Sequence, residues 1–414
     1  MNKCSSVAQR PPMGWNSWDC FASRATEEDI LKNAEVMERR LKQYGWEYVV
    51  CDIQWSAPPT AVNDPVYKPF IKLKMDSYSR LVPDEIRFPS SSCGKGFAPL
   101  AEAIHNKGLK FGIHIMRGIP RQAAHSGTGI LGSSATASDI AEFGSISRWN
   151  GDMYGLDPDN AESQKYYDSL FELYAQWGVD FVKIDDICNT NMFPHNPYSA
   201  SREIEMYSKA AQKCGRPMVL SLSPGPAVVE QAWHLTANAH MWRITDDFWD
   251  EWRLLRDMFD RCERWQTHVG AGSWPDCDMI PIGKIGAGFG SQRDTLFTKS
   301  EQVTLMTLWC VFRSPLILGC DLAATENDDW TMSLLTNEEA LAANQEGWNP
   351  RLADKSESLV TWISTGGKYA AYFNISDERI EVEPIGNWNV WKKAGLGKAE
   401  NIEPHGALFA MKKE

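Results

Sequence analysis

No stretch of the 414 residues approaches the run of about 18 apolar residues that a membrane-spanning helix needs. Residues 1–12 are polar and lack an apolar core, so they do not read as a signal peptide, and a cytoplasmic location is expected. Positive charge is in deficit. The net charge of −12 disfavours a polyanion such as nucleic acid as partner. The ten cysteines include no Cys-x-x-Cys pair and do not cluster with histidines, so buried free thiols are expected rather than a zinc site. Also missing are a Walker loop, a His-Glu-x-x-His helix motif and a Gly-x-Ser-x-Gly elbow. Metal, phosphate-loop and serine-triad chemistry are therefore not indicated, and no cofactor is expected.

Tryptophan, by contrast, is abundant, with 18 residues. Its flat apolar face with a single N–H donor suits the C–H faces of sugar rings, although many of these side chains serve as core. The length fits a barrel of about 250 residues with a smaller domain attached.

Short β-type runs alternate with helical stretches. The runs are 13–18, 48–53, 111–116, 181–186, 218–223, 241–247, 269–276 and 316–319, several of them continuously apolar, as in parallel strands covered on both faces. Helical patterns cover 26–44, 99–107, 161–177, 200–213 and 301–312, four of the five stopped by glycine. Eight such units predict an α/β fold, a (β/α)₈ TIM barrel. An open doubly wound sheet would carry a Gly-rich fingerprint after its first strand, whereas the sequence there is Trp-Asn-Ser-Trp-Asp. Beyond about residue 330 the runs shorten and alternate (358–362, 369–373, 380–384, 407–411), predicting a small antiparallel β-sandwich. The expected division is 1–330 for the barrel and 331–414 for the sandwich. Residues 58–92 form a long polar loop after the second strand, on the face where barrel enzymes build their sites.

In a barrel, polar residues at the C-terminal ends of strands face the site. Here those ends carry Asp52, His114 followed by Arg117, Lys183 with Asp185 and Asp186, Ser223, Arg243 leading to Asp246 and Asp247, and Asp276 with Asp278. Each would be costly to bury alone, so one shared cleft accounts for them together. The period of two places Lys183 and Asp185 on one face, and Arg243, Thr245 and Asp247 on another. An ammonium beside a carboxylate keeps it ionised, as a nucleophile requires. Two inward carboxylates on separate strands can flank a glycosidic bond, and their separation decides between retention and inversion.

The ordered motifs Pro12-Met-Gly-Trp-Asn-Ser-Trp18, Lys183-Ile-Asp185 after Trp177-Gly-Val-Asp, Trp242-Arg243 with an Asp four residues beyond, and Asp276-Cys-Asp-Met279 resemble glycoside hydrolase family 27, the α-galactosidases and α-N-acetylgalactosaminidases. The resemblance runs along residues 11–330. It implies a retaining exo-glycosidase with Asp185 as nucleophile and Asp247 as acid/base. It further implies that Asp52 and Lys183 hold sugar hydroxyls, that Trp18 is a pocket wall and that Arg243 lies near the 2-position. Asp278 and Met279 would line the far side. His114 stands where the family commonly has a tyrosine. The implied partner is a carbohydrate, and a homo-oligomer is compatible with the sequence.

The departures from the pattern carry information. The family's second Asp after the second strand is Ile53, and Ile187 replaces a cysteine of its active-site disulfide. Ser223 stands where α-galactosidases have a Glu and α-N-acetylgalactosaminidases a Ser, and the smaller side chain leaves room for a 2-acetamido group. N-acetylgalactosamine or galactose is therefore the expected sugar. β-L-Arabinopyranose, which matches galactose without its hydroxymethyl group, is the alternative. Two readings of other kinds stand beside these. One is a catalytically silent carbohydrate-binding barrel. The other is a lyase or isomerase on an anionic sugar, which would use Arg117 and Arg121.

Overall fold

The computed structural model describes residues 6–68, 70–189, 198–346 and 351–413. Eight parallel strands form the barrel: β1 Met13–Asn16, β2 Tyr48–Cys51, β3 Lys110–Met116, β4 Phe181–Asp185, β5 Val219–Ser223, β6 Met241–Arg243, β7 Trp274–Asp276 and β8 Leu316–Leu318. They hydrogen-bond in the order β7-β6-β5-β4-β3-β2-β1-β8. The ring closes just beyond β7, where the Ile280 N–H donates to the Ile317 carbonyl (2.8 Å) and the Gly319 N–H to the Ile280 carbonyl (3.1 Å).

The alternation explains why both faces of these strands are buried. Tyr48, Val50, Phe181, Val219, Met241 and Ile317 pack together inside the ring. Their neighbours Val49, Cys51, Val182, Ile184, Leu220, Leu222, Trp242, Leu316 and Leu318 belong to the core between strands and helices. The inward series therefore runs from apolar to polar toward the C-terminal ends, as in Phe181–Lys183–Asp185 and Val219–Ser221–Ser223. This gradient sets the site at one end of the barrel.

The expected helices form at Glu27–Val36 (prolonged to Tyr44), Ala98–His105, Ala161–Trp177, Ser201–Lys213 and Lys299–Phe312. Thr26 and Asp29 make a capping box, and Gly45 ends the first helix in the left-handed region with φ +97°. A helix at Trp252–Trp265, not anticipated from the sequence, buries Leu255, Met258, Phe259, Cys262 and Trp265 on one stripe. Also unanticipated is a three-stranded antiparallel sheet after β3, built from Ile119–Pro120, Met153–Leu156 and Ala141–Ile146.

Residues beyond β8 are first helical, at Leu322–Thr325, Asp329–Leu335 and Glu338–Gln345. A six-stranded antiparallel sheet then begins at Arg351. One of its faces (Trp362, Ala371, Phe373, Phe409) joins the barrel's outer core, with the Phe373 and Phe259 rings 5.0 Å apart. The other face (Ala370, Tyr372, Leu408, Ala410) is covered by the ribbon Ile380–Val382 and Glu400–Ile402, which makes the small sandwich. Among the described residues no helix is long and apolar enough to cross a membrane.

Candidate active site

The C-terminal ends of the strands surround a cavity of about 320 Å³, within the usual range for small-ligand sites. Trp18, Asp52, Lys183, Asp185, Ser223, Arg243 and Asp247 all line it. Register accounts for part of this set: Asp185 pairs with Ser223 across β4 and β5, and Arg243 with Asp276 across β6 and β7. The other three expected residues lie deeper. His114 is 2% exposed and its Nε2 is 3.0 Å from Asp185 Oδ2. Asp278 and Met279 line a small void inside the barrel that shares Lys183, Ser223 and Arg243 with the main cavity.

Two charge networks organise the walls. In the first, Asp52 Oδ2 accepts from Lys183 Nζ (2.9 Å) and Asn16 Nδ2 (2.8 Å), and its Oδ1 accepts from the Ile53 N–H (2.8 Å). Burial opposes ionisation of Asp52, but Lys183, His114 and these hydrogen bonds win, so its carboxyl lies well below the usual range. Burial likewise opposes the charge on Lys183, yet Asp52 and Asp185 hold the ammonium above its ordinary pKa. Asp185 is subject to the same contest. Burial raises it, while the His114 hydrogen bond and the charges of His114, Lys183 and Arg243 bring it below the ordinary carboxylate value. The result is an ionised carboxylate in a poorly solvated place, the condition for a nucleophile.

The second network centres on Arg243. Its Nη1 donates to Asp247 Oδ1 (2.7 Å) and approaches Asp278 Oδ2 (3.4 Å), and its Nε donates to the Pro224 carbonyl (2.9 Å). Asp247 is exposed at the cavity mouth, with 58% of its side chain accessible. Asp276, deeper still, is pushed up to about 7 by burial and by the charge of Asp278. A carboxyl whose folded pKa exceeds its unfolded value stabilises the fold fully below the unfolded value, and that stabilisation is lost as pH rises through the folded one. Asp276 by itself therefore acts to lower the melting temperature as pH rises from about 4 through about 7. Asp276→Asn should reduce that fall by on the order of 2 °C, as read by thermal melts across the range. An unchanged slope would show that Asp276 is not the proton carrier.

Asp186 and Asp246, expected at strand ends, also line it, whereas five other lining residues were not among those expected from the sequence: Tyr67, Trp149, Asn189, Pro224 and Gly225. Tyr67 comes from the long loop after β2 and stacks on Trp18 (5.6 Å between ring centres, 13° between planes), with Trp149 5.2 Å beyond it. Residue type was their only signal, because loop positions have no period to read. Arg117 and Arg121, by contrast, do not line the cavity. The Arg117 side chain is 3% exposed and pairs with Asp186 and Glu203. Arg121 donates to the Gly151 carbonyl and lines a separate hollow beside Phe70 and His125. The anionic-sugar reading thus loses both of its cations.

Nine cysteines among the described residues are free, and Cys262 and Cys277 face each other with sulfurs 3.6 Å apart. Ser223 Oγ is buried with no hydrogen-bond partner among the described residues.

Comparison with known proteins agrees with this architecture. Residues 158–346 match the family model described as alpha galactosidase A. A crystal structure of a β-L-arabinopyranosidase of glycoside hydrolase family 27 from Geobacillus stearothermophilus is 50% identical, with 98% of this chain and 96% of that one covered and a TM-score of 0.92. A candidate α-N-acetylgalactosaminidase from Bacillus halodurans is 47% identical over 99% and 98% of the two chains, with a TM-score of 0.86. An α-galactosidase from Cyamopsis tetragonoloba is 25% identical over 96% of this chain and 80% of its own length.

Proposed function

The chain belongs to glycoside hydrolase family 27, glycosidases that cleave O-glycosyl bonds, and from that premise we propose that it is a retaining exo-β-L-arabinopyranosidase. The observation that carries the choice of sugar is Ile53. Next to Asp52, where the family pattern continues with a second carboxylate, this side chain is 3% exposed and packs with Trp18 and Met116 inside the barrel. Ile53 does not itself line the cavity but clusters with the lining residue Trp18, and a galactose hydroxymethyl directed to this position would meet an apolar side chain where the family pattern has a carboxylate; an unpaired buried hydroxyl costs binding free energy. Arabinopyranose has no such group. The half-identical Geobacillus enzyme, described as acting on this sugar, supports the same choice.

In the proposed reaction the Asp185 carboxylate attacks the anomeric carbon. The glycosidic C–O bond breaks as Asp247 gives its proton to the leaving oxygen. The ester formed on Asp185 is then displaced by water, whose proton returns to Asp247, and the configuration is retained. Asp52 and Lys183, tied together at 2.9 Å, present acceptor and donor to ring hydroxyls, and Trp18 supplies an apolar wall.

Nitrophenyl glycosides test the sugar. The β-L-arabinopyranoside should exceed the α-D-galactopyranoside in kcat/KM by roughly ten-fold or more, and Ile53→Asp should narrow that ratio. A galactoside preference in the wild type would overturn the assignment. Ser223 favours a second reading, α-N-acetylgalactosaminidase, since its small side chain leaves room beside an unpaired hydroxyl at the cavity wall. The N-acetylgalactosaminide in the same panel decides it. The highest kcat/KM on that substrate would place the acetamido group at Ser223.

A further inference from the structure

The residue after the proposed nucleophile is in an unusual conformation. Asp186 has φ +54°, in the left-handed region that glycine enters freely and aspartate only occasionally. This turn aims the Asp186 N–H back at Asp185 Oδ1, 2.7 Å away. One carboxylate oxygen of Asp185 is thus fixed by that N–H and the other by His114 Nε2 at 3.0 Å. The conformation has to be held by its surroundings.

What holds it is Arg117. Its backbone N–H donates to the Asp185 carbonyl (3.1 Å), its Nε to the Asp186 carbonyl (2.8 Å) and its Nη2 to Asp186 Oδ2 (3.1 Å). The guanidinium is itself anchored, with Nη1 donating to Glu203 Oε1 (2.8 Å) and Ser145 Oγ (2.9 Å). Glu203 is fixed in turn by the Tyr167 hydroxyl and the Leu156 N–H. The inserted three-stranded sheet leaves room for this arrangement at one point. A Cβ on Gly155 would lie 2.2 Å from Arg117 Nη1 and 2.3 Å from Ser145 Oγ. Arg117 therefore touches the backbone on both sides of the Asp185–Asp186 peptide while staying out of the cavity.

We propose that Arg117 is a positioning residue for the nucleophile, clamping Asp186 in its left-handed turn so that the Asp186 N–H orients the Asp185 carboxylate. The proposal rests on the reading of Asp185 as nucleophile. Lysine at this position keeps a cation beside Glu203 but cannot supply the two-pronged contact to Asp186.

The test is steady-state kinetics on the full-length protein, with active sites titrated by a 2-fluoro glycoside. Arg117→Lys should lower kcat roughly a hundred-fold per titrated site, as a slightly misaligned nucleophile does. KM should change far less. Adding Asp186→Gly to that chain should recover much of the lost kcat, because glycine takes the left-handed turn unaided. If the Arg117 variant does not fold, the comparison moves to single variants at the turn, where Asp186→Gly should retain far more kcat than Asp186→Val. Wild-type kcat in Arg117→Lys, no recovery on adding the glycine, or equal kcat in the Gly and Val variants would each overturn the positioning role. Turnover persisting in Asp185→Gly would overturn the nucleophile reading itself, so the two failures are distinguishable.

Discussion

Replacing Asp185 by glycine should reduce kcat on the arabinopyranoside by on the order of 10⁵-fold, the scale on which covalent catalysts lose activity when the nucleophile is removed. The fold should survive. Asp185 sits at the end of β4, and its ladder contacts are made by the backbone. Removing it costs the His114 hydrogen bond but leaves neither neighbouring cation alone, since Lys183 and Arg243 remain paired with Asp52, Asp247 and Asp278. The vacated space admits a small anion. Azide should therefore restore turnover of an activated substrate and give a glycosyl azide of inverted configuration, because only one displacement then occurs. Kinetics with and without azide, with the product read by NMR, check this. An Asp185→Gly enzyme with native turnover would remove Asp185 from the chemistry.

The second large effect is expected at Asp247. Asp247→Ala should lower kcat about 10²- to 10⁴-fold on a glycoside whose leaving group needs a proton. Formation of the glycosyl-enzyme should be almost unaffected on a dinitrophenyl glycoside, whose leaving group needs none. Equal losses on both leaving groups would instead make Asp247 a binding residue. The geometry bears on this. Asp247 hangs from Arg243 at 2.7 Å, while Arg243 is anchored on the Pro224 carbonyl and faces Asp278. Damage at Arg243 or Asp278 should consequently resemble damage at Asp247 rather than damage at Asp185.

Legibility in the sequence followed periodicity. The barrel strands could be read because an apolar residue at every second position had to face inward until polar ones took over, and Phe181–Lys183–Asp185 shows that switch within five residues. The charged strand ends could be read for the same reason. Tyr67 and Trp149 could not, since a stacking partner for Trp18 arriving from a loop leaves no periodic trace. The helix Trp252–Trp265 carries its own signal, Leu255, Met258, Phe259, Cys262 and Trp265 recurring at helical spacing, yet it was not among the expected helices. Arg117 was legible as a cation near the site but not as a buried one. Its partner Glu203 lies 86 positions along the chain, on the helix Ser201–Lys213, and only the fold brings them together. His114, Asp278 and Met279 carry the same lesson in depth. Strand alternation gives the face on which a side chain lies, whereas its height in the barrel depends on strand stagger.

The most direct test of the central claim is covalent trapping. The native enzyme would be incubated with a 2-deoxy-2-fluoro-β-L-arabinopyranosyl donor carrying a good leaving group, digested and mapped by mass spectrometry. The account predicts one labelled peptide, with the fluorosugar esterified to Asp185. A label on any other residue, or hydrolysis through an unlabelled enzyme with inversion at the anomeric carbon, would contradict it.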